Sequence, residues 1–394
     1  MDYIKNIIDR YKHIRSIRML QQTYKGKYAF VGIGNHSTNN LYPVLNYLHV
    51  PLKYICCQSP GKLHLIEEAF PQVHATTSLD DILADEEIRG VFVSVSPKAH
   101  FSIASKVLKH KKALFIEKPP CSSTEELMRL VELQKQAKVL AVADMQKRSA
   151  PAMLLLKKEL MRCKGTTTYN LRYLTGAYPE GDSLLDLFIH PLDSVIYLFG
   201  KPEVRCVEAI SGQTLMLVLK HADATGVLEL STGYTWTDAQ ESMTINTNKG
   251  IYTLEQTDSL TFRQKPHAFC GVPLEKVFTH KNVTTELFGR NKFVPLMPNN
   301  QIVTQGYYGA IRSFVDAVEG RDRSVAPYKQ DPTLEVDCYC KYDAGFKLSN
   351  LTSGKYHMKV YLADYYGKYD ATSPAYEGAI TFKPNTTQEL ELQQ

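Results

Sequence analysis

The chain contains no run of eighteen apolar residues, so no bilayer-spanning helix is expected. Its opening segment, MDYIKNIIDRYKHIRSIRML, lacks the apolar core and cleavage site of a secretory leader. A basic stripe of the kind nucleic acid requires is missing as well. The 46 Lys and Arg residues against 41 Asp and Glu leave a net charge of only +5, spread over 394 residues. The eight cysteines form no secreted disulfide ladder. Cys56 and Cys57 adjoin in an apolar run, and Cys338-x-Cys340 has no second ligand pair, so no metal is expected. These absences point to a reducing cytoplasm, where the Asn-x-Ser/Thr triplets at Asn282, Asn350 and Asn385 carry no meaning. No membrane or nucleic-acid partner is expected.

What is present is a core-forming composition, 44% hydrophobic, in a chain long enough for two domains or slightly more at ~150 residues each. The most informative stretch is GDSLLDLFIHPLDSVIYLFG, residues 181–200. It is apolar nearly throughout and so predicts a buried helix. Asp186, His190 and Asp193 interrupt it at spacings of four and three, which place them on one helical face. Buried ionisable groups are costly unless paired or used. A core histidine with a structural aspartate is the plain alternative to a functional one. Pro191 removes one helical hydrogen bond and predicts a kink just after the histidine.

A second segment, YAFVGIG (28–34), reads as a first parallel strand ending in a glycine turn. Gly32 and Gly34 allow close backbone approach to a pyrophosphate, with free N–H groups on the helix that follows. Ser37 replaces the third glycine of G-x-G-x-x-G and is small enough for close helix–strand packing. Next come VFVSVSPKAH (91–100) and ALFIEKPP (113–120), two β-rich runs separated by a helix over Phe101–His110. Strand, helix and strand in that order predict a right-handed crossover in a parallel sheet. Such sheets bind ligands at the carboxyl ends of their strands, where Ser96, Pro97, Glu117, Lys118 and Pro119 fall.

Together G-I-G, S-P-K-A-H, E-K-P and D-x-x-x-H-x-x-D resemble the Gfo/Idh/MocA oxidoreductases, named for glucose–fructose oxidoreductase and inositol dehydrogenase. The resemblance runs from about Tyr28 to Gly200 and more loosely to GYYGAIRSFVDAVEGR at 306–321. It implies an α/β fold: an N-terminal Rossmann dinucleotide-binding domain, then an α+β domain with a large, open, mostly antiparallel sheet. It implies NADP or NAD as cofactor and Lys118, Asp186 and His190 as the catalytic group, with a cis Lys118–Pro119 bond. The cofactor would meet Gly32, Ile33, Gly34, Asn35, His36, Ser37, Gln58, Ser59, Lys62, Ser96, Pro97, His100, Glu117 and Lys118. The substrate would meet Lys118, Asp186 and His190. Arg148, Arg172, Tyr173 and Tyr178 would line the substrate side.

The expected activity is hydride transfer between nicotinamide and a hydroxyl-bearing carbon of a sugar, sugar derivative or cyclitol. His190 would be the base, because its ordinary pKa lies near the working pH. Lys118 would stabilise developing negative charge, and Asp186 would orient His190 or grip a neighbouring hydroxyl. The alternatives are a non-catalytic dinucleotide sensor of the same fold and a glycosidase that uses nicotinamide transiently. In NAD enzymes a carboxylate ends the second strand, about 20 residues after the glycines. Here LKYICCQSPGK (52–62) ends in Cys57, Gln58, Ser59 and Lys62, so NADP is expected to bind at least as well as NAD.

The chain divides into four zones. Residues 1–26 form an amphipathic basic helix, a packing arm for its own domain or a partner subunit. Residues 27–146 form the dinucleotide domain. Residues 147–330 form the substrate and oligomerisation domain, whose turn-separated strands make a sheet suited to a homo-oligomer face. Residues 331–394 form a β-rich extension, with a strand over 356–362, a turn over 364–367 and a strand over 379–382.

Overall fold

The computed structural model describes residues 2–18, 24–179, 181–266, 268–276, 283–291, 300–321, 354–360 and 376–382. The chain forms two compact units, Met1–Gln330 and Asp331–Gln394.

The first unit opens with α1 (Asp2–Arg18). Its Ile4, Ile7, Ile8 and Tyr11 are exposed, so the expected apolar stripe does not pack on the described residues of its own chain. Six short strands follow: β1 (Lys27–Val31), β2 (Leu52–Cys56), β3 (His74–Thr76), β4 (Ile88–Val93), β5 (Ala113–Ile116) and β6 (Ala141–Ala143). Central runs such as YAFV, VFV and ALFI are apolar throughout because helices cover both faces of a parallel sheet. Between the strands lie α2 (Tyr42–Tyr47), α3 (Leu63–Ala69), α4 (Leu79–Ala84), α5 (Pro97–Lys109) and α6 (Thr124–Ala137). Their starts are legible in local chemistry. The Ser78 hydroxyl accepts from Asp81 N–H, and that of Ser123 from Glu126 N–H, while Glu126 accepts from Ser122 N–H.

The strand order is β3-β2-β1-β4-β5-β6, all parallel. The order reverses between β1 and β4, which opens a crevice at their carboxyl ends. Register carries this edge across the sheet: Val31 lies opposite Cys56 and Val93, Val93 opposite Ile116, and Ile116 opposite Ala143. The next residues, Gly32, Ser94, Glu117 and Asp144, therefore line one edge, each N–H bonded to a neighbouring strand carbonyl.

The second sheet runs β16-β13-β12-β11-β7-β10-β9-β8. It comprises β7 (Thr167–Leu174), β8 (Glu203–Ile210), β9 (Thr214–Lys220), β10 (Ala224–Ser231), β11 (Gln240–Asn246), β12 (Gly250–Glu255), β13 (Ser259–Gln264) and β16 (Thr284–Gly289). A two-residue pairing, β14 (Ala268–Phe269) with β15 (Val272–Pro273), stands apart. All contacts in the large sheet are antiparallel except β7 with β10. One face is covered by α7 (Pro151–Leu160) and α8 (Ile189–Phe199), which bury Met153, Leu156, Leu192 and Val195 against Tyr169, Leu171 and Leu228.

The end of this unit does not stay with the second sheet. Helices α9 (Gln301–Thr304) and α10 (Tyr307–Val318) bury Ile302, Tyr307, Ile311, Phe314 and Val315 in the core of the first. Phe314 packs on Phe92 and Phe115 with ring centroids 5.3 and 5.5 Å apart. Each such buried aromatic stabilises the domain by roughly 1.5–3 kcal/mol. Gly306, at φ +97°, starts α10 flush against the backbone of Gln146 and Ala150, where a Cβ would clash. The span assigned to the substrate domain thus closes on the dinucleotide domain.

In the second unit, β17 (Gly354–Val360) pairs antiparallel with β18 (Tyr376–Phe382), Gly354 opposite Phe382. The expected turn over 364–367 lies outside the described residues. No helix among the described residues is long and apolar enough to cross a membrane.

Candidate active site

The glycine turn is built as a cradle. Gly32 has φ +110°, and a Cβ there would strike the Ser94 carbonyl. Around Gly34, by contrast, an added Cβ meets nothing within 4 Å. Ser37 closes the turn from below, its hydroxyl 3.0 Å from both Gly34 N and Gly34 O. Asn35 and His36 are exposed, Ile33 half-buried and Ser37 buried. The chain then winds through a wide π-turn, Ser37–Leu41, before α2. Backbone N–H groups, open space at Gly34 and the crevice position fit a dinucleotide's pyrophosphate. Gln58, Ser59 and Lys62 are exposed on the turn beyond β2, and Ser96 and Pro97 are exposed where α5 begins. His100 sits elsewhere than expected. It is 1% exposed, and its Nδ1 bonds the Pro119 carbonyl at 2.6 Å, so it supports the E-K-P turn rather than facing a cofactor.

The Lys118–Pro119 bond is cis. Lys118 Nζ donates to the backbone carbonyl of Asp186 at 2.5 Å. Burial pushes the Lys118 ammonium down from its usual range, against the pull of Glu117, Asp186 and Asp144. His190 is held well below the ordinary imidazole range, first by burial and then by Lys118, Lys147 and His36. Its imidazole is therefore neutral at working pH. Among the described residues no group bonds His190 Nδ1.

Residues 181–200 differ from the single regular helix that their spacing predicts. Leu184–Phe188 form a π-turn, and α8 begins at Ile189. The irregularity precedes His190 instead of following it. Pro191 lies in the first turn of α8, where its missing N–H costs least. Asp186 is thereby separated from His190. Its carboxylate accepts from Tyr178 O–H at 3.3 Å, so it does not orient the imidazole. Asp193 turns away too and takes Arg148 in a bidentate pair of 2.9 and 2.6 Å. Arg148 is 7% exposed and is removed from the substrate side. Arg172 is on the opposite face of β7 from the α8 layer, exposed and paired with Glu229 at 2.7 Å.

His190 lines a pocket of about 290 Å³ with Gln146, Lys147, Tyr173 and Trp236 among its walls. Lys147 reaches Glu241 at 2.5 Å and lies 5.2 Å from the Tyr173 ring centre. Trp236 donates to the Ala177 carbonyl, and its ring meets Tyr178 edge-on. A larger groove of about 950 Å³ lies at the amino ends of β1 and β2 and contains none of these groups.

Several site residues were not legible in the sequence. Asp144 and Lys147 follow β6, three residues long and too short to stand out. Gln146 donates to Tyr307 O–H at 3.2 Å across a separation of 161 residues, which no local pattern reveals. Glu117 accepts from or shares a proton with His36 Nε2 at 2.9 Å, joining the E-K-P turn to the glycine turn.

Comparison with known proteins shows what the N-terminal part is similar to. Residues 26–144 match the model of an oxidoreductase family with an NAD-binding Rossmann fold, Gfo/Idh/MocA. An uncharacterised oxidoreductase of Escherichia coli, YhhX, is 26% identical over 190 residues, 44% of this chain and 54% of that protein. Inositol 2-dehydrogenase of Acidothermus cellulolyticus is 24% identical over 163 residues, 39% of this chain and 47% of that protein. The chain thus spans about half the length of the curated relatives it matches. A dehydrogenase structure from Chromobacterium violaceum superposes with TM-score 0.64 at 19% identity, covering 80% of this chain and 92% of that one. This last likeness concerns the fold.

Proposed function

We propose, from the Gfo/Idh/MocA oxidoreductase membership that residues 26–144 carry, that this chain is an NAD(P)-dependent dehydrogenase acting on a CH–OH group of a sugar, sugar derivative or cyclitol. The carrying observation is the meeting of Lys118 with the His190 segment at the carboxyl edge of the dinucleotide sheet, beside a polar pocket.

Bound at the glycine turn, the nicotinamide dinucleotide supplies the hydride acceptor or donor. Gly32, Gly34 and the N–H groups beyond them hold its phosphates, and Ser59 and Lys62 favour a 2′-phosphate. His190, neutral and lining the pocket, takes the substrate hydroxyl proton in oxidation and returns it in reduction. Lys118, fixed by the Asp186 carbonyl, donates to the same oxygen as negative charge develops. Asp186 and Tyr178 form a polar wall that grips a neighbouring hydroxyl. Trp236 and Tyr173 offer flat apolar faces of the kind that sugar rings cover. The open face of the second sheet, with Val227 and Ile251 exposed, is a surface for a second copy of the chain.

The test is cofactor reduction by purified protein across a panel of sugars, sugar nucleotides and cyclitols, with NAD and NADP in turn. Turnover with at least one polyol is expected. Calorimetry on Gly34→Asp accompanies it, because that side chain fills open space and should abolish cofactor binding without unfolding the domain. Undiminished binding in Gly34→Asp overturns the cradle. Binding without turnover on any polyol overturns the activity.

A further inference from the structure

One buried cluster has no part in the proton transfer just described. Glu117 and Asp144 are the first residues past β5 and β6, and the pairing of Ile116 with Ala143 sets them side by side. Neighbouring strands lie about 4.8 Å apart, within reach of two short acidic side chains. Asp144 is fully buried and Glu117 nearly so. Among the described residues no N–H or O–H group reaches either Asp144 carboxyl oxygen. The group that Asp144 meets is the Glu117 carboxyl.

We propose that Asp144 and Glu117 hold one proton between them and, anchored by His36, form a positioning pair that sets the charge beneath Lys118. This rests on the reading of Lys118 as a catalytic group. Two carboxylates are both acceptors, so they join only through a proton. A second negative charge in so buried a site is strongly disfavoured, and such a pair titrates as a unit. His36 Nε2 occupies a Glu117 oxygen at 2.9 Å, which leaves the shared proton on the Asp144 side. Burial and Glu117 together raise the Asp144 carboxyl well above its usual range.

Charged and titratable groups face the pair from each element around it. His36 comes from the glycine turn, Lys118 from the E-K-P turn and Tyr307 from α10. Lys147, Asp186 and His190 act on Lys118 in turn. With one shared proton, the pair carries a single charge opposite one ammonium. With both carboxyls ionised, the excess negative charge would lock Lys118 in its protonated form.

Carbon-13 NMR of protein labelled at Asp and Glu carboxyls, assigned with Asp144→Asn and Glu117→Gln, reads the shared proton directly. One carboxyl of the pair is expected to remain protonated at neutral pH. Ionisation of both by about pH 5 overturns the proposal. This readout needs no substrate, so it stands or falls apart from the dehydrogenase reading. The positioning role is read from kcat against pH. Asp144→Asn keeps the pair at one negative charge, as the shared proton does, so the Lys118 limb is expected to stay at its wild-type pH. Asp144→Leu also loses the hydrogen bond to Glu117, and its kcat falls a further tenfold or so, the usual scale for a bond to a charged group. KM for the cofactor stays put in both. A limb moved to lower pH in Asp144→Asn, or full kcat in Asp144→Leu, overturns the positioning role. Should Asp144→Asn fail to fold, Glu117→Gln, which donates to an ionised Asp144 and also leaves the pair one charge, is expected to keep the same limb.

Discussion

Two clusters of buried charge lie close together along α8, and they are finished differently. Asp193 meets Arg148 in a two-point pair, with both groups almost fully buried and each charge answered by the other. One turn earlier, His190 is buried near three basic groups with Nδ1 unbonded, and the nearby Lys118 ammonium is itself depressed by burial. The first arrangement stores charge where nothing can exchange with it. The second shifts both groups toward their neutral forms, beside a pocket. Perturbed groups at a cleft mark function, while balanced pairs mark structure. The single motif D-x-x-x-H-x-x-D thus contains a residue of each kind.

The comparison breaks most readily at its catalytic side. Lys118→Ala and His190→Ala are each expected to lower turnover by roughly 10²- to 10⁴-fold, with cofactor affinity retained. Their double variant should lose little more than either single one, because both act on one oxygen. Wild-type turnover in either variant would move the chemistry elsewhere.

The structural side should respond in stability. Asp193→Ala removes the carboxylate that faces a buried guanidinium and is expected to cost about 3–5 kcal/mol in denaturant unfolding. Replacing both partners, Arg148→Met with Asp193→Leu, should recover most of that loss. If Asp193→Ala abolished turnover while its unfolding midpoint stayed at the wild-type value, Asp193 would belong with His190.

A pH scan sharpens the same contrast. The folded-state pKa of His190 is depressed, so the unfolded chain takes up this proton first as pH falls. The stability tied to the neutral imidazole is complete above about pH 6.5 and is lost as pH drops below it. His190→Gln is therefore expected to flatten the decline of Tm between about pH 7 and 5. Equal slopes in the two proteins would contradict the buried neutral imidazole.

The smallest effect is expected at the exposed edge of the cofactor turn. Gln58→Asp introduces a carboxylate beyond β2, which should weaken NADP and favour NAD by about tenfold each way. A strong NAD preference in wild type, unmoved by the substitution, would shift the ribose site to another turn.

Legibility followed the range of the interaction. The turn-separated strands expected over 147–330 appear as β7 to β13, because alternation between a covered and an open face is written locally. The Rossmann core and its glycine turn were legible from continuous apolar runs that end in short motifs, which are equally local. β3 and β6, each three residues long, were too short to register. Spacing alone also set Asp186 and Asp193 beside His190, whereas a π-turn separates Asp186 from the regular helix of His190 and the long-range partner Arg148 takes Asp193.

By itself, the sequence determined the order of the elements, the family model that residues 26–144 match and the place of Lys118 at the carboxyl edge of a strand. Each follows from runs of apolar residues and short motifs, which act over one strand or one helical turn. The tertiary structure alone decided which buried charges are paired. Arg148 was drawn to Asp193, Asp144 was set against Glu117 by strand register, and α10 returned from residue 307 to put Tyr307 over Gln146. The chain meets itself there across long separations, and burial makes the partner, rather than the residue type, fix each group's charge.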